Sequence, residues 1–235
     1  MARIVKEYEA RRSEILDAAL RLVYTKGYEQ MTIQDILDAL QISKGAFYHY
    51  FDSKQALLDA LVDRMVNEAL HVLRPILEDP ALPATDKLQR FFQTAALWKT
   101  TQKEFILALL QVWYTDGNAL PRQKQITAAL RQVAPLLTQI IQQGAREGAF
   151  HTAFPDQAGE VILSLLQNAG DTMAGLILVH DPSSDALQRM ESYAAAYNDA
   201  VERVLGTLPG SLQLIDPKIL KVWVAAPEEV AGVND

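Results

Sequence analysis

Five ring side chains in a row, Phe47 to Phe51, follow Lys44, Gly45 and Ala46, and Lys54 stands just beyond them. Successive side chains on a helix are turned by about 100°, so five consecutive rings cannot all face inward. Phe47 and Phe51, four residues apart, share the inward side. Lys44, Gly45, Ala46, Tyr48 and His49 then fall on or near the outer side. Gly45 and Ala46 have almost no side chain, so a ligand can approach the backbone closely. Tyr48 and Tyr50 carry hydroxyls suited to phosphate. Lys54 heads the next helix, where free N–H groups also favour phosphate, and Thr32 is placed similarly on the helix before. Positioning contacts to phosphate around a few contacts to base edges are what recognition of duplex DNA requires. The bland alternative is an aromatic core cluster, which accounts for two of the five rings.

The rest of the chain offers little competing chemistry. There is no cysteine, which excludes disulfide scaffolds, thiolate zinc sites and cysteine nucleophiles. No G-x-S-x-G, H-E-x-x-H, G-x-G-x-x-G or P-loop pattern occurs. His49, His71, His151 and His180 are far apart in sequence, each better read as a surface or core residue than as a metal ligand. No catalytic residue, cofactor or metal is assigned, and an enzyme is the weaker reading.

The elements that must hold the ring cluster are helical. A first helix over 9–25 carries Ile15, Leu16, Ala19, Leu22 and Val23 as one apolar stripe and stops at Gly27. Thr32 to Asp35 has the form of a capping box with Asp in place of Glu, opening a second helix with Ile33, Ile36, Leu37 and Leu40 inward. After the turn at Gln41, Ser43 is the natural N-cap of a third helix over 44–51. Three short helices in this order suggest a helix-turn-helix unit whose second paired helix lies in the major groove. A long helix over 54–77 follows, spanning about 36 Å. Further helices are expected over 86–101, 103–115, 121–147, 156–179 and 184–206. Pro121, Pro155 and Pro182 mark starts, and Pro135 kinks or divides its helix. Beyond Pro209, Lys218 to Val224 reads as a strand or an extended arm, with 225–235 frayed. The fold class is all-α: a three-helix DNA-binding domain over 1–54, a larger helical bundle over 55–208 and a tail over 209–235.

The net charge is −7, yet residues 1–54 hold eight of the 22 basic and eight of the 29 acidic residues and sum to zero. An acidic whole argues weakly against nucleic acid, and a neutral head weakens that objection. The N-terminus lacks the apolar run of a secretory signal. No stretch approaches the about 20 apolar residues of a membrane helix; the apolar runs are short, such as Leu176 to Val179. The protein is expected to be soluble and cytoplasmic, with no membrane partner.

The stretch from Ile42 to Leu57, with Ser43, Lys44, Gly45, the Tyr48-His49-Tyr50-Phe51 run and Ser53-Lys54, preceded by Thr32, Ile33 and Ile36, resembles the signature of TetR-type (TetR/AcrR) transcriptional regulators. The resemblance covers roughly residues 9–60. It implies phosphate contacts for Thr32, Tyr48 and Lys54, and base or adjacent-backbone contacts for Lys44, Gly45 and His49. The chain departs from the family at Gln41, where many members have Gly. A left-handed conformation there costs about 1–2 kcal/mol. Gly144 to Phe150 is similar to a helix-ending pattern of the family's effector domains.

Family likeness further implies a homodimer through helices 156–179 and 184–206, and a small effector bound inside the body. Ala158, Gly159, Ala169, Gly170, Ala174 and Gly175 permit close helix approach, although an ordinary intramolecular bundle explains them too. Candidate effector contacts are the aromatic Phe92, Trp98, Phe105, Trp113 and Tyr114 and the polar Gln111, Asn168, Asp171 and Thr172, in the pattern of a mostly apolar cavity with few anchors. The competing reading makes the aromatics core, and Asn168, Asp171 and Thr172 dimer-interface groups. The expected function is a ligand-responsive repressor that binds a palindromic double-stranded DNA operator. The alternatives are an activator or bifunctional regulator of the same family, and a protein-interaction adaptor that has lost DNA binding.

Overall fold

The computed structural model describes residues 2–115, 118–178 and 185–224. Its helices are α1 (Ala2–Lys26), α2 (Ile33–Leu40), α3 (Lys44–Tyr48), α4 (Lys54–Glu78), α5 (Ala84–Thr101), α6 (Lys103–Trp113), α7 (Ala119–Glu147), α8 (Pro155–Leu178), α9 (Ala186–Leu205) and α10 (Pro217–Val224). No strand occurs among the described residues. The expected N1 proline Pro182, His180, the helix ends at 179 and 184, and residues 225–235 lie outside them. The chain forms two compact units, Met1–Glu68 with Glu104–Gln125, and Ala69–Lys103 with Ile126–Asp235.

In the first unit, the α1 stripe of Ile15, Leu16, Ala19 and Val23 packs with Ile36 and Leu37 of α2, Phe47 and Phe51 around α3, and Leu57, Leu58 and Leu61 of α4. Phe105, Leu109 and Val112 of α6 complete this core. Gly27, at φ 78°, ends the turn after α1 as expected. α1 begins seven residues earlier than the apolar stripe indicates. The Arg64 guanidinium of α4 ties back to Asp17 of α1 at 2.6 Å.

In the second unit, Leu137, Ile140 and Ile141 of α7 meet Ile162 and Leu163 of α8, Val201 and Leu205 of α9, and Leu88 and Phe91 of α5. Gly159 brings α8 close to α7: a Cβ there would lie 2.4 Å from Thr138 Oγ1 and 2.8 Å from its backbone nitrogen. Pro155 is the first residue of α8, while Pro135 lies within one helix, α7, and divides nothing. By length and composition α8 is apolar enough to cross a membrane, with a mean hydropathy of 1.4 over its most apolar stretch. Ser164, Gln167 and Asn168 interrupt its apolar run, and the core helix of a bundle has the same length and composition. α8 packs against α9, burying Ala158, Ile162, Ala169 and Ala174.

The tail also differs from expectation. Lys218 to Val224 is helical, as α10, rather than a strand or an extended arm. Asp216 accepts the Lys218 N–H at 2.8 Å, and Pro217 takes the first helical position, which together start a helix. Leu220 is buried with Met190 and Ala194 of α9, and this packing overrides the β-propensity of Ile219 and Val222. The connection 206–216 is held by α9. The buried Glu202 carboxylate accepts the N–H groups of Gly210 at 2.8 Å and Leu212 at 2.7 Å. One turn earlier, Asn198 Oδ1 accepts those of Leu214 and Ile215.

Candidate nucleic-acid interface

Two local caps set the geometry of the paired helices. Thr32 Oγ1 accepts the Asp35 N–H at 3.1 Å, and the Asp35 carboxylate accepts the Thr32 N–H at 2.8 Å, closing the reciprocal box. Asp35 also pairs with Lys26 Nζ at 2.6 Å. The Lys26 ammonium, then the Thr32 N–H and hydroxyl, hold the Asp35 carboxyl down at about 2, from an ordinary 3.8. α2 ends at Gln41, which adopts φ 52°, ψ 43° and donates its N–H to Leu37 O. The strain expected there is therefore present. The Gln41 amide offsets part of it by donating to Asp38 O at 2.7 Å. Ser43 Oγ then accepts the Ala46 N–H at 3.2 Å and starts α3.

α3 is shorter than the 44–51 helix expected from sequence: its regular part ends at Tyr48. The chain tightens there, with Tyr50 N–H donating to Phe47 O, and turns through His49 and Tyr50 toward Phe51. A helix this short cannot stand alone. Phe47 and Phe51 are both buried, as their spacing predicts, with ring centroids 5.9 Å apart. Lys44, Gly45, Tyr48 and His49 are exposed, Ala46 and Tyr50 half-buried. A Cβ built on Gly45 meets only Ser43 Oγ, at an ordinary 3.9 Å, so nothing in the protein's packing requires the missing side chain.

The structure adds three residues that the sequence reading did not name. Tyr8 of α1 stacks on Tyr50 at 4.7 Å and meets His49 edge-on at 5.7 Å. One turn along α1, the Arg12 guanidinium lies 5.2 Å over the Phe51 ring. Tyr28, in the connection between α1 and α2, carries Lys54: the ammonium sits 4.3 Å from the ring centroid and donates to Glu29 O at 3.2 Å. Burial lowers the Lys54 pKa and raises that of Tyr28 to about 12. The only sequence signal was the i, i+4 spacing of Tyr8 and Arg12 on one helix face.

The nine residues named as effector contacts are distributed over both units. In the first, Phe105 is core, Trp113 packs against that core, Tyr114 lies under the Arg122 guanidinium at 4.3 Å, and Gln111 is exposed. In the second, Phe92 packs beside Phe91 and Trp98 is half-buried. Asn168 accepts a short hydrogen bond from Tyr197 of α9, Thr172 donates to Asn168 O, and Asp171 accepts from Gln167. Among the described residues, no group of three or more His, Asp or Glu is arranged to hold a metal.

A capped helix pair followed by a short helix with polar and small residues outward defines a DNA-binding regulator of the helix-turn-helix class. Comparison with known proteins places it more closely. Residues 15–61 match the bacterial regulatory proteins of the tetR family, and residues 110–172 match the tetracyclin repressor-like C-terminal domain. The HTH-type transcriptional repressor KstR2 of Mycobacterium tuberculosis is 26% identical over 153 residues, covering 64% of this chain and 74% of its own. The HTH-type transcriptional regulator EthR of Mycolicibacterium smegmatis is 28% identical over 144 residues, 54% of this chain and 66% of its own. In fold, a TetR transcription regulator from Haloarcula marismortui superimposes with a TM-score of 0.63 at 22% identity, covering 82% of this chain and 98% of that one. The two family matches, the relatives and the shared fold together support a TetR-type transcriptional regulator. Proteins of this family are DNA-binding regulators rather than enzymes, they bind operators, and they are usually dimers with small-molecule effectors.

Proposed function

We propose that this regulator is a cytoplasmic, ligand-responsive repressor that binds a palindromic operator as a homodimer. The outward face of α3 carries the reading: Lys44, Gly45, Ala46, Tyr48 and His49 contribute nothing large to the core, and the fold leaves them available to DNA. In this reading Ser43 caps α3, and Lys44, Gly45, Ala46 and His49 meet base edges or the nearby backbone. Thr32, Tyr48, Tyr50 and Lys54 meet phosphate. The head over 1–54 binds DNA, and the body over 55–208 dimerises and takes the effector through residues among the nine named above. The 209–235 segment is an extension of that body. Dimerisation is assigned to α8 and α9, where Val161 and Tyr193 remain exposed in the single chain. Two copies of so short a helix supply the sequence information that one lacks. Effector binding changes DNA affinity by favouring one of two arrangements of the heads, with α4 as the lever. KstR2, a relative, is named as a repressor.

Selection of bound duplexes from a randomised DNA library tests this, with a Tyr48→Ala, Lys54→Ala double variant as control. Enrichment of a palindrome by the wild type alone is the expected result. A folded dimer that enriches nothing, with or without a pool of lipophilic ligands, overturns the reading in favour of an adaptor.

A further inference from the structure

We infer that Tyr28 is a positioning residue for DNA binding, holding the Lys54 ammonium in place before a phosphate arrives. The inference rests on the phosphate-contact reading of Lys54 proposed above. A surface lysine is a charge on a flexible four-carbon stem, and immobilising it on binding weakens the complex. Lys54 is already fixed at both ends. Its ammonium lies over the Tyr28 ring and donates to the Glu29 carbonyl, while its own backbone carbonyl accepts the Tyr28 hydroxyl at 3.3 Å. The ring cannot follow the lysine outward, because Tyr28 is 8% exposed and packed in the first-unit core. An ammonium has three donors. The Glu29 carbonyl takes one of them, and the ring attracts the charge through its face without accepting a strong hydrogen bond. The arrangement orders the stem and keeps donors for an incoming anion. It also joins the connection before α2 to the first residue of α4.

Equilibrium binding to a mixed-sequence duplex of about 30 base pairs, measured across salt concentrations, separates positioning from contact. Lys54→Ala is expected to reduce the salt slope by about one contact. Tyr28→Leu is expected to leave the slope unchanged, because the ammonium still reaches the phosphate, and to weaken binding about 3- to 10-fold. Tyr28→Phe keeps the ring and should bind nearly as wild type. The Tyr28→Leu, Lys54→Ala double variant should be no weaker than Lys54→Ala, since the tyrosine acts through the lysine. Additive losses overturn the inference while leaving the Lys54 contact standing. An unchanged slope in Lys54→Ala overturns the contact reading and the inference with it. A measurement that needs no variant uses wild-type protein with labelled lysine: ring current should move the Lys54 ε-methylene protons upfield of the other lysines, and an ordinary shift overturns the inference.

Discussion

Removal of one hydroxyl, in Thr32→Val, isolates the cap that starts α2. Valine keeps the shape and β-branching of threonine, so packing is conserved. What is lost is the acceptor for the Asp35 N–H at 3.1 Å and the donor to Asp35 Oδ2 at 2.9 Å. Loss of a side-chain N-cap destabilises by about 1 kcal/mol, within a range of about 0.5–2. Thr32 is exposed and Asp35 half-buried, so water reaches the freed groups and the middle of that range applies. For a chain of 235 residues, this corresponds to a fall in Tm of about 2–4 °C. Urea unfolding followed by circular dichroism should show a lower midpoint with an unchanged slope. Thr32→Ser, which restores the hydroxyl, should recover most of the loss. If Thr32→Val unfolds at the wild-type midpoint, or if Ser does not rescue it, the hydroxyl does not hold α2 and the capping argument fails.

Three other outcomes follow from contacts already described. Asp35 sits at about 2 when folded against an ordinary 3.8, so folding favours its ionised form. Its contribution is complete above the ordinary value and lost as pH falls through about 2, and acid titration of Asp35→Asn should show a smaller loss in that window than wild type. Gly159→Ala should destabilise by up to about 2 kcal/mol, because overpacking against Thr138 exceeds the helix-propensity gain of about 1 kcal/mol. Glu202→Ala leaves two backbone donors without their acceptor and should destabilise by about 2–4 kcal/mol, with hydrogen exchange accelerating at Gly210 and Leu212.

What could be read from the sequence was local. Thr32, Asp35 and Ser43 act within three residues of themselves, so residue type and spacing sufficed to place both caps, and the Phe47–Phe51 spacing identified the inward rings. The left-handed Gln41 was anticipated only through the family resemblance, since many members have Gly there; nothing in the residue type itself announces it. Contacts between distant segments were not. Tyr28 and Lys54 are 26 residues apart, and no periodicity relates a residue of a connection to the first residue of a later helix. The start of α1 was missed because its first turns carry no apolar stripe. α10 was missed because Ile219 and the Val222-Trp223-Val224 run favour a strand, whereas Asp216, Pro217 and the burial of Leu220 decide its state.

The division of labour within α3 has a consequence for how such a regulator changes over evolutionary time. Phe47, with Phe51 just after it, anchors the segment, and Ser43 starts it. Between them Lys44, Gly45, Tyr48 and His49 are exposed and bear little of the folding free energy. Substitutions at the exposed positions 44, 45, 48 and 49 can therefore accumulate with small effects on stability, typically within about 0.5 kcal/mol. A duplicated copy could drift to a new DNA target while its scaffold stayed intact. Exchanging those four positions between relatives should transfer target preference without requiring compensating changes in the core.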